Sequence, residues 1–148
     1  MTIASYLKLY NSELSKLKTE IELYENEKNI WICNKNIANS GGNLCLHLIG
    51  NLNHFIGHVL GKTNYVRNRD LEFSQKDVLK KHLIDSIDET IYVLNITINN
   101  LMDDDLQKEY PDSKFENKET IEFLLIYLLG HLTYHIGQIN YHRRLLDN

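Results

Sequence analysis

Six of the seven histidines fall on two helical stripes that share the same internal spacing. Successive positions in each stripe are separated by four, three and four residues, which places their side chains on one face of an α-helix. The first stripe is His47, Asn51, His54 and His58, and the second is His131, His135, Gln138 and His142. Random placement rarely produces such a match, so these histidines are candidate functional residues.

His131 and His135 are one helical turn apart, roughly 6 Å along the helix axis. Two imidazoles at this spacing can bind one metal ion. The ordinary alternative is a set of core imidazoles that are hydrogen-bonded to Asn51, Gln138 and the tyrosines. If a metal is bound, Asn51 and Gln138 become candidates for orienting its ligands, and otherwise they fill the interior.

A third ligand is expected from the other stripe. His47 is the best candidate because it lies nearest the start of its helix, beside a glycine turn. His54 and His58 lie roughly 10 and 16 Å further along that helix and cannot all reach one ion. We expect His54, His58 and His142 at the surface or its boundary, although a second site or a dimer contact is an alternative. Three imidazoles with open positions are typical of a catalytic metal site.

Other chemistries lack their motifs. H-E-x-x-H is absent, and the residues three before His47, His131 and His135 are leucines, which excludes the Glu-x-x-His pairs of di-iron bundles. G-x-S-x-G and a phosphate-binding loop are also absent. The net charge is −4, and no basic patch indicates nucleic-acid binding.

The apolar spacing predicts an all-α chain, a four-helix bundle that forms one domain over residues 1–148. We expect helices at about 2–31, 43–60, from Ser74 onward, and 119–146. Gly41 and Gly42 are expected to stop a helix, and Ser74 with Asp77 to cap the third one. The polar loop 62–73 carries Arg67, Arg69, Asp70 and Glu72, which either rim a substrate pocket or form a solvated loop tied by ion pairs.

Composition favours a reducing, cytoplasmic setting. Hydrophobic residues make up 43% of the chain, enough for one core. Cys33 and Cys45 are not spaced as a C-x-x-C pair, and we expect both in the core. The amino-terminal segment lacks the apolar centre of a signal peptide, and no apolar run is long enough to span a bilayer.

Three segments resemble the DinB-like superfamily of bacterial four-helix bundles. They are GGNLCLHLIGNLN at 41–53, YVRNRDLEF at 65–73 and HLTYHIGQI at 131–139. The resemblance implies that a divalent metal is bound by His47, His131 and His135, and that the protein is a homodimer. Some relatives transfer low-molecular-weight thiols onto electrophiles, and this sequence is closest to a branch of unassigned function.

The leading hypothesis is a metal-dependent thiol S-transferase or hydrolase that acts on small molecules. Three imidazoles suit zinc, nickel or iron equally well. The alternative is a non-catalytic dimeric bundle with a structural or vestigial metal site, and a third, weaker hypothesis is haem binding by paired histidines. The catalytic residues and the substrate are not determined by the sequence.

Overall fold

The computed structural model describes residues 1–34, 36–112 and 118–147. These residues form helices and loops with two isolated β-bridges and no β-strand, which confirms the all-α prediction for the described parts. The α-helices are α1 Ile3–Glu22, α2 Gly41–Leu52, α3 Arg69–Ser74, α4 Lys80–Asn99 and α5 Ile121–Leu146. A π-helix, Asn53–Leu60, continues α2, and short 3-10 helices occur at Glu27–Trp31 and Asp103–Gln107.

The four long helices share one core. Both α1 and α2 pack against α4 and α5, and the short α3 packs against α2. One stripe of α1 is buried, because its large side chains recur every three or four residues. The buried side chains of α1 are Tyr6, Tyr10, Leu14, Leu17 and Ile21. Tyr10 also donates a hydrogen bond from its hydroxyl to the carbonyl of Leu125, which joins α1 to α5 at 2.7 Å.

The prediction of one helix over 2–31 is wrong at its carboxyl end. The helix stops at Glu22, and a 3-10 turn over Glu27–Trp31 follows. The break is stabilised from a distant part of the chain, because the carboxylate of Asp147 accepts hydrogen bonds from the backbone of Glu25 and Asn26. Sequence periodicity contains no information about such a contact.

Gly41 and Gly42 begin a helix and do not stop one. Ser40 caps α2 by accepting a hydrogen bond from the backbone N–H of Asn43. The glycines are needed for close packing: a Cβ on Gly42 would lie 2.6 Å from the ring of Trp31, and one on Gly41 would collide with the hydroxyl of Tyr24. Glycine is often found in turns because it lacks a side chain. At these two positions the same property allows aromatic rings to approach the helix backbone.

Ser74 does not cap the third long helix. It ends α3, a short helix inside the predicted polar loop, and Asn68 caps that helix. The long helix α4 begins only at Lys80, with no side-chain cap at Leu79. Asn43 on α2 explains the difference, since its amide donates to the carbonyls of Glu72 and Gln75 and holds the end of α3 against α2.

Helix α5 agrees with its prediction to within two residues at the amino end, where Thr120 is the cap. Its core stripe runs from one end to the other through Ile121, Leu124, Leu125, Leu128, Leu132, Ile136 and Ile139. His131 and His135 lie beside this stripe, where they are half-buried. Helix α5 therefore keeps an unbroken apolar contact with the core and presents its imidazoles along one edge.

His142 and Cys33 differ from their predicted positions. His142 is buried, accepts a 2.6 Å hydrogen bond from the hydroxyl of Tyr24 and donates one of 2.8 Å to the carbonyl of Ile32. It joins the end of α5 to the segment after α1, and its role there is structural. Cys33 is exposed, whereas Cys45 is buried as expected.

Among the described residues, no helix combines the length and the apolar character that crossing a membrane requires.

The buried His142 predicts acid sensitivity of the fold. Burial lowers the pKa of His142, although the Ile32 carbonyl and Asp147 oppose this change. The unfolded chain therefore takes up a proton near pH 6.5 before the folded chain does, so the free energy of unfolding falls as the pH drops from about 6.5 towards the folded-state pKa. Urea unfolding from pH 7.5 to 5.5, with a chelator present, should show a smaller decline for His142→Gln than for wild type.

The control for this experiment is His82→Gln, because the side chain of His82 is exposed. It should retain the wild-type pH dependence. An equally steep decline in His142→Gln would contradict the assignment of the acid sensitivity to His142.

Candidate metal centre

Three imidazoles converge between α2 and α5. Nε2 of His131 lies 3.1 Å from Nε2 of His47 and 3.1 Å from Nε2 of His135. Each ring offers one nitrogen such that all three atoms lie within 4.8 Å of one another. The three histidines could hold a metal ion, and the prediction that they come together is confirmed.

The nitrogen separations suit ligands of one metal ion. At metal–nitrogen distances of about 2.0 to 2.1 Å, two imidazole ligands in tetrahedral geometry have nitrogens about 3.3 to 3.4 Å apart. The observed 3.1 Å is close to this range. The rings also meet edge-on, with interplanar angles of 76° to 89°. The nitrogen lone pairs can therefore point to one place without the rings stacking.

Hydrogen bonds among the three rings cannot satisfy all three Nε2 atoms at once. Nδ1 of His47 faces a carboxylate and Nδ1 of His135 faces an amide oxygen, so each carries the ring proton on Nδ1. With one ring proton each, His47 and His135 both direct an Nε2 lone pair at His131. One proton on Nε2 of His131 can be shared with only one of them at a time, whereas a cation between the rings satisfies all three nitrogens.

Glu72 orients His47. Its Oε1 accepts a 2.9 Å hydrogen bond from Nδ1 of His47, and both atoms belong to buried side chains. Arg67 binds the same carboxylate through two N–H groups, at 2.8 Å and 2.9 Å. Such a carboxylate–histidine pair fixes the tautomer of a metal ligand and raises its basicity. The two-pronged arginine contact in turn fixes the carboxylate.

Gly50 makes room for Glu72. A Cβ at position 50 would collide with Oε2 of Glu72. Residue 50 must therefore lack a side chain if α3 is to pack against α2. Gly50 lies three residues after His47 on the same helix. Helix α2 therefore provides both the first candidate ligand, His47, and the recess for the carboxylate that orients it.

Gln138 orients His135 from the other side of the cluster. Oε1 of Gln138 accepts a 2.6 Å hydrogen bond from Nδ1 of His135, and its amide nitrogen donates to the hydroxyl of Tyr134 at 3.2 Å. The ring of Tyr134 also packs edge-on against His135. These contacts fit the predicted role of Gln138 beside the ligands and assign Tyr134 a place next to it.

The charges of the cluster favour the forms that bind a metal. Burial lowers the pKa of His131 to about 4, with further contributions from His135, His47 and Arg67. Burial also lowers the pKa of His135, against the hydrogen bond with Gln138. Burial alone would raise the pKa of Glu72, but hydrogen bonds from Arg67 and His47 hold it below its usual value. At neutral pH His131 and His135 are therefore neutral imidazoles, and the carboxylate of Glu72 is ionised.

Arg67 and Arg69 connect the centre to a cavity. Both line a cavity of about 380 Å³ together with His54, His58, Tyr65 and Val66. The guanidinium of Arg69 lies 5.4 Å from the centre of the Phe73 ring, and Phe73 packs against His47. A second cavity, of about 390 Å³, includes Gln138 and His142 in its wall. Arg67 and Arg69 are thus each separated from the histidine cluster by at most one intervening side chain.

The remaining predicted residues have separate positions. Asn51 is buried one turn after His47, and its Oδ1 has no hydrogen-bond partner among the residues that the structure describes. His54 is half-buried with Asp112 nearby, and exposed His58 donates to the carbonyl of Thr63. Their rings stack 5.9 Å apart. These positions agree with the expectation that His54 and His58 lie at the boundary and the surface.

Sequence analysis missed the roles of Glu72 and Gly50. Glu72 was expected at a pocket rim or in a solvated loop, yet it is buried and holds a metal-ligand candidate. The sequence gives little indication of this role, because a single glutamate in a charged loop belongs to no periodic pattern. The one available clue was Gly50, a glycine inside an otherwise regular apolar helix, which often marks close approach by another group.

The model of the DUF1572 family, described as a protein of unknown function, matches residues 2–148. No curated protein matches the chain.

The buried carboxylate predicts a measurable effect on metal affinity. Glu72→Gln removes the charge that pairs with Arg67 and polarises His47, so affinity for zinc should fall by about 10- to 100-fold. Isothermal titration of the chelator-treated protein with zinc measures this change. Asp70→Asn is the matched control, since Asp70 is an exposed carboxylate on the same short helix. Equal zinc affinities in wild type and Glu72→Gln would contradict the role of Glu72.

Proposed function

We propose that this chain, which belongs to the DUF1572 family, is a divalent-metal-binding protein of the DinB-like type and acts as a metal-dependent thiol S-transferase or hydrolase on small molecules. The observation that carries the proposal is the convergence of three histidines, with Nε2 of His131 lying 3.1 Å from Nε2 of His47 and 3.1 Å from Nε2 of His135. Neither the family description nor the fold names an activity, so the proposal rests on the chemistry of these side chains.

The arrangement of the long helices supports the DinB-like bundle. Helices α1, α4, α2 and α5 follow one another around a shared core, since α1 and α2 each contact both α4 and α5. One candidate ligand comes from α2, and two that are four residues apart come from α5. This is the distribution of ligands that the resemblance to the superfamily implies.

The donor set favours a catalytic metal over a purely structural one. Structural zinc sites use four protein ligands, whereas catalytic sites use three and leave a position for water or substrate. Among the described residues, the cluster of possible metal ligands consists of these three histidines. A divalent metal held there would lower the pKa of a bound water or thiol and so supply a nucleophile at neutral pH.

The residues of the chain would prepare the site for this chemistry. Glu72 keeps the ring proton of His47 on Nδ1, and Gln138 does the same for His135. The two Nε2 lone pairs stay available as a result. Arg67 and Arg69 place positive charge on the wall of the 380 Å³ cavity, where they would orient a polar or anionic part of the substrate.

Zinc, nickel or iron would suit three imidazoles, and a low-molecular-weight thiol with an electrophile is the substrate pair that the resemblance implies. The resemblance also implies a homodimer.

A second candidate function is a non-catalytic bundle in which the metal only stabilises the fold. Its support is the position of the cluster, because the ligands join α2 to α5 and Glu72 adds α3. A metal at this junction would hold three helices together. The two candidates differ in whether bound metal is accompanied by turnover.

Metal content and turnover together test the proposal. Elemental analysis of the untagged protein should give about one divalent metal per chain, and His47→Ala and His135→Ala should both lose it. His82→Ala, which changes an exposed histidine on α4, is the control and should retain the metal. A panel of thiols with electrophiles, and of hydrolysable esters and amides, should give product with wild type and none with the two metal-free variants.

Turnover that persists after the metal is lost would contradict the proposed function. Bound metal without turnover, combined with a melting temperature that falls on chelation, would favour the structural candidate. Absence of metal even after addition of zinc, nickel or iron would contradict both.

A further inference from the structure

A cavity of about 450 Å³ lies where the 3-10 helix after α1 meets the segment before α4. One wall contains Glu27, Lys28 and Trp31, and the other is formed by residues 77–79. None of these residues belongs to the candidate metal centre. The volume lies within the range of small-molecule sites, roughly 300 to 1,000 Å³. The cavity is therefore large enough for a ligand that is separate from the metal.

Lys80 holds the two walls of this cavity together. Its backbone N–H donates to the carboxylate of Glu27, so the first residue of α4 is bonded to the 3-10 helix. Its ammonium group donates to the carbonyls of Glu22 and Tyr24, at 3.3 Å and 2.9 Å, where α1 ends. The folded chain itself therefore forms the cavity, and no ligand is needed to shape it.

Trp31 brings an unpaired hydrogen-bond donor to this cavity. Its side chain is 8% exposed, and its buried Nε1 has no hydrogen-bond partner among the residues that the structure describes. The indole atoms nearest to the Cβ position of Gly42 are Cε3, Cζ3 and Cη2, so the benzene ring packs on α2 and Nε1 lies further from that helix. A buried N–H without an acceptor is rare and costly. Trp31 therefore marks a place for an acceptor atom.

Charged groups of both signs line the cavity together with this donor. Lys28 carries an exposed ammonium, and Glu27 and Asp77 carry carboxylates. Val78 and Leu79 give the cavity an apolar side. A positive group, two negative groups and an apolar wall are complementary to a small zwitterion that carries an apolar side chain.

We infer that this cavity binds a free α-amino acid with an apolar side chain. The ligand carboxylate pairs with Lys28 and supplies the acceptor that Nε1 of Trp31 lacks. The ligand ammonium binds the carboxylates of Glu27 and Asp77, and the ligand side chain packs against Leu79. Lys28 is exposed and Leu79 is 54% exposed, so both can change rotamer without disturbing the core and admit the carboxylate to the indole. This site is additional to the proposed function and does not depend on it.

The fluorescence of Trp31 tests the inference, because Trp31 is the only tryptophan of the chain. Titration of the full chain with L-leucine or L-phenylalanine should give a saturable change in fluorescence. Three related compounds each lack one recognised part: glycine has no apolar side chain, N-acetyl-L-leucine has no ammonium and L-leucinamide has no carboxylate. Each should bind at least about tenfold more weakly than L-leucine, since each leaves part of the cavity without its partner.

Variants of the charged residues test the location of the site. Lys28→Met should weaken L-leucine binding about threefold to fivefold, the range of an exposed charge pair. Asp77→Asn should have a similar effect, and asparagine tolerates the positive φ of 57° at this position. The matched controls are Lys8→Met on α1 and Asp85→Asn on α4, which change exposed residues outside the cavity wall and should leave the affinity unchanged.

Trp31→Phe tests the indole donor, because phenylalanine keeps an aromatic ring beside Gly42 and removes the N–H. Isothermal titration, which needs no tryptophan, should show about tenfold weaker binding of L-leucine. Circular dichroism should show that every variant is folded.

Absence of saturable binding to the wild-type protein would overturn the inference. Equal affinities for L-leucine and its two blocked forms would overturn it as well, and so would unchanged affinity in both Lys28→Met and Trp31→Phe. Tighter binding of N-acetyl-L-leucine or L-leucinamide than of L-leucine would also contradict it, because the cavity would then recognise one end of a peptide.

Discussion

The candidate metal centre depends on a buried carboxylate that is paired on both sides. Glu72 accepts hydrogen bonds from Arg67 and from His47 at 2.8 to 2.9 Å, in surroundings where an unpaired charge would be costly. The pairing of Glu72 also constrains the sequence and the path of the neighbouring segments. Helix α2 must carry glycine at position 50, and the loop before α4 must turn inward to bring Arg67 and Glu72 to the same place. The orientation of the first ligand is therefore a property of three separate segments.

The two histidine stripes serve different purposes along one pair of helices. At the middle of α5, His131 and His135 lie at the edge of the core, where half-burial keeps them neutral and accessible to an ion. Two turns later His142 is buried, and both of its ring nitrogens are hydrogen-bonded, one to Tyr24 and one to Ile32. An imidazole with both nitrogens committed has no lone pair left for a metal. Identical spacing thus leads to a ligand pair at one level and a structural hydrogen-bond junction at the next.

Three faces of helix α5 have different roles. One face supplies the core from Ile121 to Ile139, and the adjoining edge supplies two ligand candidates. The third face, which carries Tyr127, Tyr134 and Tyr141, is exposed. Gln138 and Tyr134 lie between the ligand edge and that outer face, and two hydrogen bonds join them to His135.

The sequence by itself determined the features that follow from local spacing. Apolar side chains at three- and four-residue steps predicted the long helices, and histidines at matching steps predicted that His47, His131 and His135 share a site. Helical periodicity is a short-range property, so one chain read in order is enough to detect it. The end of α1 at Glu22, the start of α2 at two glycines and the burial of His142 were decided by the tertiary structure. Each results from a contact between residues far apart in the chain, with Asp147, Trp31 and Tyr24 as the distant partners. The same holds for Glu72, since only the docking of α3 against Gly50 turns a glutamate of a charged loop into the group that orients a ligand.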